Sequence, residues 1–163
     1  MGYSLPAGIG AYFASPDRQI ICIMGDGGFQ MNVQELQTVS REKIPAKIFV
    51  LNNNSLGMIR CYQEKYFNNK CVGSVEGFTN PDHEKLAYAY DIAYTKISTN
   101  RDFDKLDHGL TRDEPHLFEI ILSPLTQAIP EPAPGRPVED QLPLLDRDEF
   151  SAIFNFDKID TKK

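Results

Sequence analysis

The sequence predicts an α/β fold, a three-layer domain whose central, mostly parallel sheet is flanked by helices. Two short apolar runs, Ile20 to Met24 and Lys47 to Leu51, each end in a polar turn and suit strands buried on both faces. Between them Val33, Leu36, Gln37 and Val39 recur at helical intervals. Strand, helix and strand in that order imply a parallel pair, because a tight hairpin cannot join parallel neighbours. A chain of 163 residues, 41% of them hydrophobic, can bury the core such a domain needs.

Along the chain, Met1 to Ala14 is rich in Gly and Ala, with Leu5, Ile9, Tyr12 and Phe13 at helical spacing, and reads as a closely packed helix ending near Pro16 and Asp17. After the first strand, Asn32 is the expected cap of a helix running to Lys43, and Ile44-Pro45 ends it. Arg41, Lys43 and Lys47 read as a solvated face. Ser55 to Tyr66 is an expected helix and Phe67 to Thr79 a mobile surface loop. Asn80 is read as the cap of a helix opened by Pro81, followed by a strand at Ala93 to Ile97, a helix at Asp102 to Leu110 and a buried strand at His116 to Leu122. Six of the eleven prolines lie in Pro124 to Pro143, a density that interrupts helix and sheet alike. Residues 1–123 are therefore expected to form the domain, and 124–163 an extended, proline-rich extension packing on it or on a neighbouring subunit.

Composition excludes several functions. A net charge of -6 and a pI near 5.0 offer no basic stripe for nucleic acid. No run of about 18 apolar residues could span a bilayer, and no signal-peptide pattern opens the chain, so a cytoplasmic location is expected. Cys22, Cys61 and Cys71 have neither disulfide nor zinc spacing. His83, His108 and His116 lack metal-ligand spacing and read as surface or capping residues. Tyr88, Tyr90 and Tyr94 read as core and interface.

Chemistry concentrates at two turns, Gly25-Asp26-Gly27-Gly28 after the first strand and Asn52-Asn53-Asn54 after the second, with 24 residues between Gly27 and Asn52. In an open parallel sheet ligands lie beyond the carboxyl ends of the strands, where both turns fall. Glycines let a backbone approach a diphosphate closely, and the amides at the start of the helix near Asn32 favour an anion. A diphosphate brings a divalent cation, and magnesium takes hard oxygen ligands. Asp26 supplies a carboxylate, Asn53 an amide carbonyl, and the backbone near Ser55 a third oxygen.

Gly-Asp-Gly followed by about 25 residues and Asn-Asn resembles the diphosphate signature of thiamine-diphosphate enzymes. Met1 to Ala11 (Met-Gly-Tyr-Ser-Leu-Pro-Ala-Gly-Ile-Gly-Ala), Phe29 to Leu36, and Leu56-Gly57-Met58 are similar to the segments around that signature in acetolactate synthases. The resemblance covers Met1 to about Leu122 and implies the thiamine-diphosphate-binding fold, with residues 1–123 the thiamine-diphosphate and magnesium domain. It further implies Asp26, Asn53 and the Ser55 carbonyl as magnesium ligands, and Gly25, Gly27 and Gly28 as the turn whose amides meet the diphosphate. Met1 becomes the apolar prop that bends the cofactor, while Gly57 and Met58 become contacts near the diphosphate and the mouth of the site.

The same resemblance implies a carboligase or decarboxylase acting on a 2-keto acid, inactive as an isolated fragment. The pyrimidine-binding domain that supplies the glutamate acting on the cofactor's pyrimidine ring would come from the parent enzyme or another subunit, in a homo-oligomer. FAD belongs, if anywhere, to the missing part of a full-length parent. Ile59 to Phe67 departs from the acetolactate synthase pattern, the chain has no Trp, and the proline-rich tail looks like relatives that transfer a two-carbon unit to a nucleotide-linked keto sugar. That reading stays open, as do a noncatalytic binding or oligomerisation module and a flavodoxin-like nucleotide domain.

Overall fold

Four parallel strands, β1 (Ile21–Gly25), β2 (Lys47–Asn52), β3 (Ala93–Ile97) and β4 (His116–Ile121), form one sheet in the order β1-β2-β4-β3. The helices are α1 (Ser4–Ala14), α2 (Asp26–Gln30), α3 (Leu36–Arg41), α4 (Gly57–Tyr66), α5 (His83–Ala89) and α6 (Asp104–Leu110). Single 3-10 turns, Val33–Glu35 and Asn100–Asp102, lead into α3 and α6. Every strand-to-strand connection carries at least one helix, as parallel pairing requires. This computed structural model describes residues 1–127, 129–132 and 135–154, which divide between Thr126 and Gln127 into two compact units.

The core is mainly aliphatic and continuous, with Phe29 inside it: Phe29, Leu36, Val39, Ile44, Ile48, Val50 and Leu117 are all buried. The central strands β2 and β4 contribute Ile48, Val50 and Leu117 to it, and the flanking helices much of the rest. β1 differs from expectation, since Cys22 and Met24 are buried while Ile21 and Ile23 are 53% and 61% exposed. Its place at the sheet edge explains this, because α1 covers one face and an apolar run alone cannot say how many faces are covered. On the covered face α1 comes very close: a Cβ on Gly8 would lie 2.2 Å from the Cys22 Sγ.

Four local expectations are corrected. Asn32 does stand at the N-cap position of the 3-10 turn that runs into α3, but its side chain makes no capping bond and donates instead to the Gly2 carbonyl at 2.8 Å, and a separate short helix already begins at Asp26, directly after β1. Asn80 is not the cap of α5 either, since Asp82 takes that place by accepting from the Lys85 amide at 3.1 Å. Lys47 is buried, its ammonium donating to the carbonyls of Arg112 and Glu114 at 2.6 and 2.7 Å, and burial lowers its pKa. The loop expected to be mobile is tied down. Buried Ser74 bonds the Gln63 side chain, and its carbonyl accepts from the Leu56 amide at 2.8 Å.

The second unit also departs from a purely extended tail. A two-residue antiparallel pair joins β5 (Glu131–Pro132) to β6 (Gln141–Leu142), and α7 (Arg147–Ile153) follows, capped by Asp146, which accepts from the Asp148 amide at 2.9 Å. Asp140 gathers Arg136 at 2.6 Å and Arg147 at 2.9 Å. Proline density marked where regular structure is interrupted, but an Asp cap with Asp148 and Glu149 in the first turn is enough to restart a helix. Residues 128, 133, 134 and 155–163 of the expected tail lie outside the described residues.

Candidate functional site

The register of β1 on β2 sets the site. Gly25 pairs with Leu51, so Asp26 and Asn52 leave the sheet side by side at its carboxyl edge. Asp26 opens α2 and is buried, 2% exposed. One carboxylate oxygen accepts from the Gly27 amide at 2.9 Å and the other from the Asn80 side-chain amide at 2.7 Å. Both donors are neutral, so a desolvated charge is left without a cationic counterpart in these bonds.

The asparagine turn is built from its own side chains. The Asn52 Oδ1 accepts from the Asn54 amide at 2.9 Å and the Asn53 Oδ1 from the Ser55 amide at 3.2 Å, two successive Asx turns. Asn54 sits at a positive φ of 51°, a conformation that asparagine tolerates better than most residues. Ser55 is buried with its Oγ unpartnered, while its carbonyl accepts from the Gly57 amide at 2.9 Å.

Glycines let the two turns meet. A Cβ on Gly27 would stand 2.2 Å from the Leu56 Cδ2, and one on Gly57 would stand 2.9 Å from the Asn53 Nδ2. Gly25 and Gly28 serve differently: a Cβ on Gly25 meets nothing within 4 Å, and one on Gly28 would approach only the Gly2 amide nitrogen, at 3.7 Å. Open space therefore lies beside those two backbone positions. The Gly2 contact places the Met1-Gly2 end next to the glycine turn; Met1 and Met58, the first residue of the chain and the second of α4, are both exposed, 76% and 55%.

The structure thus brings Asp26, Gly27, Gly28 and the Asn52 to Gly57 turn to one sheet edge. Its direct bridge between them was not foreseen: the Asn80 Nδ2 that meets Asp26 also lies 3.1 Å from the Asn52 Oδ1 and 3.4 Å from the Asn54 Oδ1. Behind this bridge is a buried polar cluster. The Asn52 Nδ2 donates to the Glu119 Oε1 at 2.6 Å, the His83 Nδ1 lies 2.8 Å from the same oxygen, and the Tyr94 hydroxyl donates to the Glu119 Oε2. Burial raises the Glu119 pKa, but the bonds from His83, Tyr94 and Asn52 outweigh it and hold the carboxyl at about 2. Burial and the Glu119 bond push the Tyr94 phenol upward.

His83 and His116, read as surface or capping residues, are both buried. His83 belongs to this cluster, and His116 packs against Phe118 with ring centroids 4.2 Å apart, its Nε2 2.8 Å from the Thr95 Oγ1. A charged residue inside the apolar run His116-Leu117-Phe118-Glu119-Ile120-Ile121 was the available sign of the cluster, because a buried carboxylate has to be hydrogen-bonded.

An open parallel α/β domain carrying a glycine turn, a buried carboxylate within that turn and an amide-rich second turn belongs to the class that binds phosphorylated cofactors beyond its strands' carboxyl ends. The family is specific: the chain belongs to the thiamine pyrophosphate enzymes, as their C-terminal TPP binding domain, whose family model matches residues 1–120. An acetolactate synthase large subunit from Cyanidium caldarium is 37% identical over 137 residues, covering 83% of this chain and 23% of that protein. One from Lactococcus lactis is 34% identical over 155 residues, 95% of this chain and 27% of that protein, so the similarity runs into the proline-rich segment. A thiamine diphosphate-dependent 4-hydroxybenzoylformate decarboxylase from Rhodococcus jostii superposes with a TM-score of 0.66 at 33% identity, over 76% of this chain and 23% of that one. The chain spans about a quarter of the length of these relatives. Among the described residues no helix is long and apolar enough to cross a membrane.

Proposed function

We propose that this chain holds the diphosphate end of thiamine diphosphate through Mg2+, as one part of an enzyme acting on a 2-keto acid in the manner of acetolactate synthases. The observation that carries the reading is the buried Asp26 carboxylate, bonded only to neutral donors, beside an oxygen-rich turn at the same sheet edge. Burying an anion without a counter-charge is costly, and a divalent cation removes that cost. The donor set suits magnesium: one carboxylate, the Asn53 side chain and the Ser55 carbonyl are all hard oxygens.

In this reading Gly25, Gly27 and Gly28 receive the diphosphate, with Gly25 and Gly28 leaving the open space and Gly27 admitting Leu56. Met1 props the cofactor, and Gly57 and Met58 line the mouth. When bound, the cofactor supplies the carbanion chemistry that reacts with a 2-keto acid. The chain's own share is to bind and orient it. The pyrimidine ring would be met by a pyrimidine-binding domain of the parent enzyme or another subunit of a homo-oligomer, in the cytoplasm. Residues 1–123 would form the cofactor domain, and 124–163 an extension packing on it or on a neighbour.

Calorimetric titration of thiamine diphosphate into the 163-residue chain, with and without Mg2+ and with thiamine as control, tests the reading. Magnesium-dependent binding in the micromolar to millimolar range, about 4 to 8 kcal/mol, is expected for a half-site. Equal heats for thiamine and thiamine diphosphate would defeat it.

A further inference from the structure

We propose that Asn80 is a positioning residue for the cation site, holding the Asp26 carboxylate against the asparagine turn. The proposal rests on the reading of Asp26 as a cation ligand. The Asn80 side chain is held at both ends. Its Oδ1 accepts from the Gln30 Nε2 at 2.8 Å, and its Nδ2 faces Asp26 at 2.7 Å and Asn52 at 3.1 Å. Gln30 also reaches toward the Thr79 carbonyl at 3.3 Å.

These partners fix the amide's orientation without ambiguity. An ionised carboxylate only accepts, so nitrogen must face Asp26, and oxygen is left to accept from Gln30. The Asn52 Oδ1 is fixed in the same way, because its Nδ2 is committed to Glu119 at 2.6 Å. Two carboxylates, Glu119 in the interior and Asp26 at the sheet edge, are therefore joined by two amides whose polarity each end dictates. Asp26 keeps lone pairs free for a cation, since each carboxylate oxygen carries two and each accepts one bond here. Asn80 sets the carboxylate's direction before any cation arrives, and the geometry is preorganised.

The segment leading into α5 thereby acquires a role beyond connection. Asn80 lies 54 positions from Asp26, outside both signature turns. Removing its charge-assisted bond should weaken cation binding about tenfold or somewhat more.

The test measures Mn2+ affinity of the 163-residue chain by the electron paramagnetic resonance signal of free ion, with and without thiamine diphosphate, for wild type, Asn80→Ala, Gln30→Ala, Asp82→Ala and Asp26→Ala. Asp82→Ala removes the α5 cap, loosening the same segment without touching Asp26. The expected result is a roughly tenfold loss in Asn80→Ala, a smaller loss in Gln30→Ala, and wild-type affinity in Asp82→Ala. In parallel, Mg2+ should shift the Asn80 side-chain amide resonance of wild type and leave it unmoved in Asp26→Ala. Equal losses in Asn80→Ala and Asp82→Ala, or wild-type affinity in the Asn80 and Gln30 variants, overturn the proposal. If Asn80→Ala does not fold, Gln30→Ala and the resonance decide. Failure of wild type itself to bind Mn2+ would remove the underlying cation reading and this proposal with it, a pattern distinct from selective failure at Asn80.

Discussion

The Asn52 Nδ2 donates to the Glu119 Oε1 at 2.6 Å, so a carboxylate in the middle of β4 governs the first residue of the asparagine turn after β2. Glu119 also holds His83 and Tyr94, which makes it the buried centre of a hydrogen-bonded cluster. Glu119→Gln keeps the shape and removes the charge. It is expected to cost about 2 to 3 kcal/mol of stability in urea unfolding, since hydrogen bonds to a buried charge are the strong ones. The sign with pH follows from the depressed pKa. Against an ordinary value near 4.5, a folded value of about 2 gives stability that is complete above pH 4.5 and lost as pH falls toward 2. The variant should lose that part of the acid dependence.

His116 governs a higher window. Burial, with Lys47 nearby, lowers its pKa from 6.5 to about 4. The unfolded chain takes up this proton first, so the contribution is complete above pH 6.5 and lost as pH falls toward 4. Unfolding free energies at intervals from pH 7 to 4 should decline less steeply in His116→Asn than in wild type, whatever the absolute cost of the substitution. Parallel slopes in the two proteins would mean that His116 is not held neutral by its surroundings.

How much of this was legible follows from what each residue must satisfy. The strands β1 and β2 and their parallel pairing were readable because Ile20 to Met24 and Lys47 to Leu51 are apolar runs closed by turn residues with a helical pattern between them, and the register then carries Asp26 and Asn52 to one edge. The approach of the two turns was readable because the glycines and the asparagines are each consecutive in sequence and each follow one of these strands. Asn80 was not, since Asn-Pro-Asp satisfies a local capping rule equally well, and only the tertiary approach of Asp26 decides that Asn80 turns inward while Asp82 caps. His83 and Lys47 were misplaced for the same reason: a polar side chain in a helix or at a strand's start looks solvated until its partner, Glu119 or the Arg112 and Glu114 carbonyls, is known.

Gly27 offers a test of how the turns are joined. A Cβ there would stand 2.2 Å from the Leu56 Cδ2, so Gly27→Ala must displace Leu56 and with it the turn that carries Asn53 and Ser55. Overpacking of this kind costs about 1 to 3 kcal/mol. The double variant Gly27→Ala with Leu56→Ala should recover part of the loss in thermal melts and in Mg2+-dependent cofactor binding. A double variant no better than the sum of the two singles would show that Gly27 is needed for its own backbone and not for the space it yields to Leu56.

Asp26→Asn separates what the site does for folding from what it does for binding. In the cation-free chain the substitution relieves a desolvated charge and gives up roughly one hydrogen bond, since an amide offers one acceptor oxygen to the Gly27 amide and the Asn80 side chain. The two effects oppose each other, and unfolding free energy without ligand should stay within about 1 kcal/mol of wild type. Ligand linkage behaves differently. Wild type saturated a hundredfold above its dissociation constant with thiamine diphosphate and Mg2+ gains about 2.7 kcal/mol. In Asp26→Asn that gain should vanish, because an amide cannot supply the anionic ligand that offsets dehydration of the cation. A variant that is strongly destabilised without ligand yet still gains from Mg2+ and thiamine diphosphate would assign Asp26 to the scaffold and move the cation elsewhere on the sheet edge.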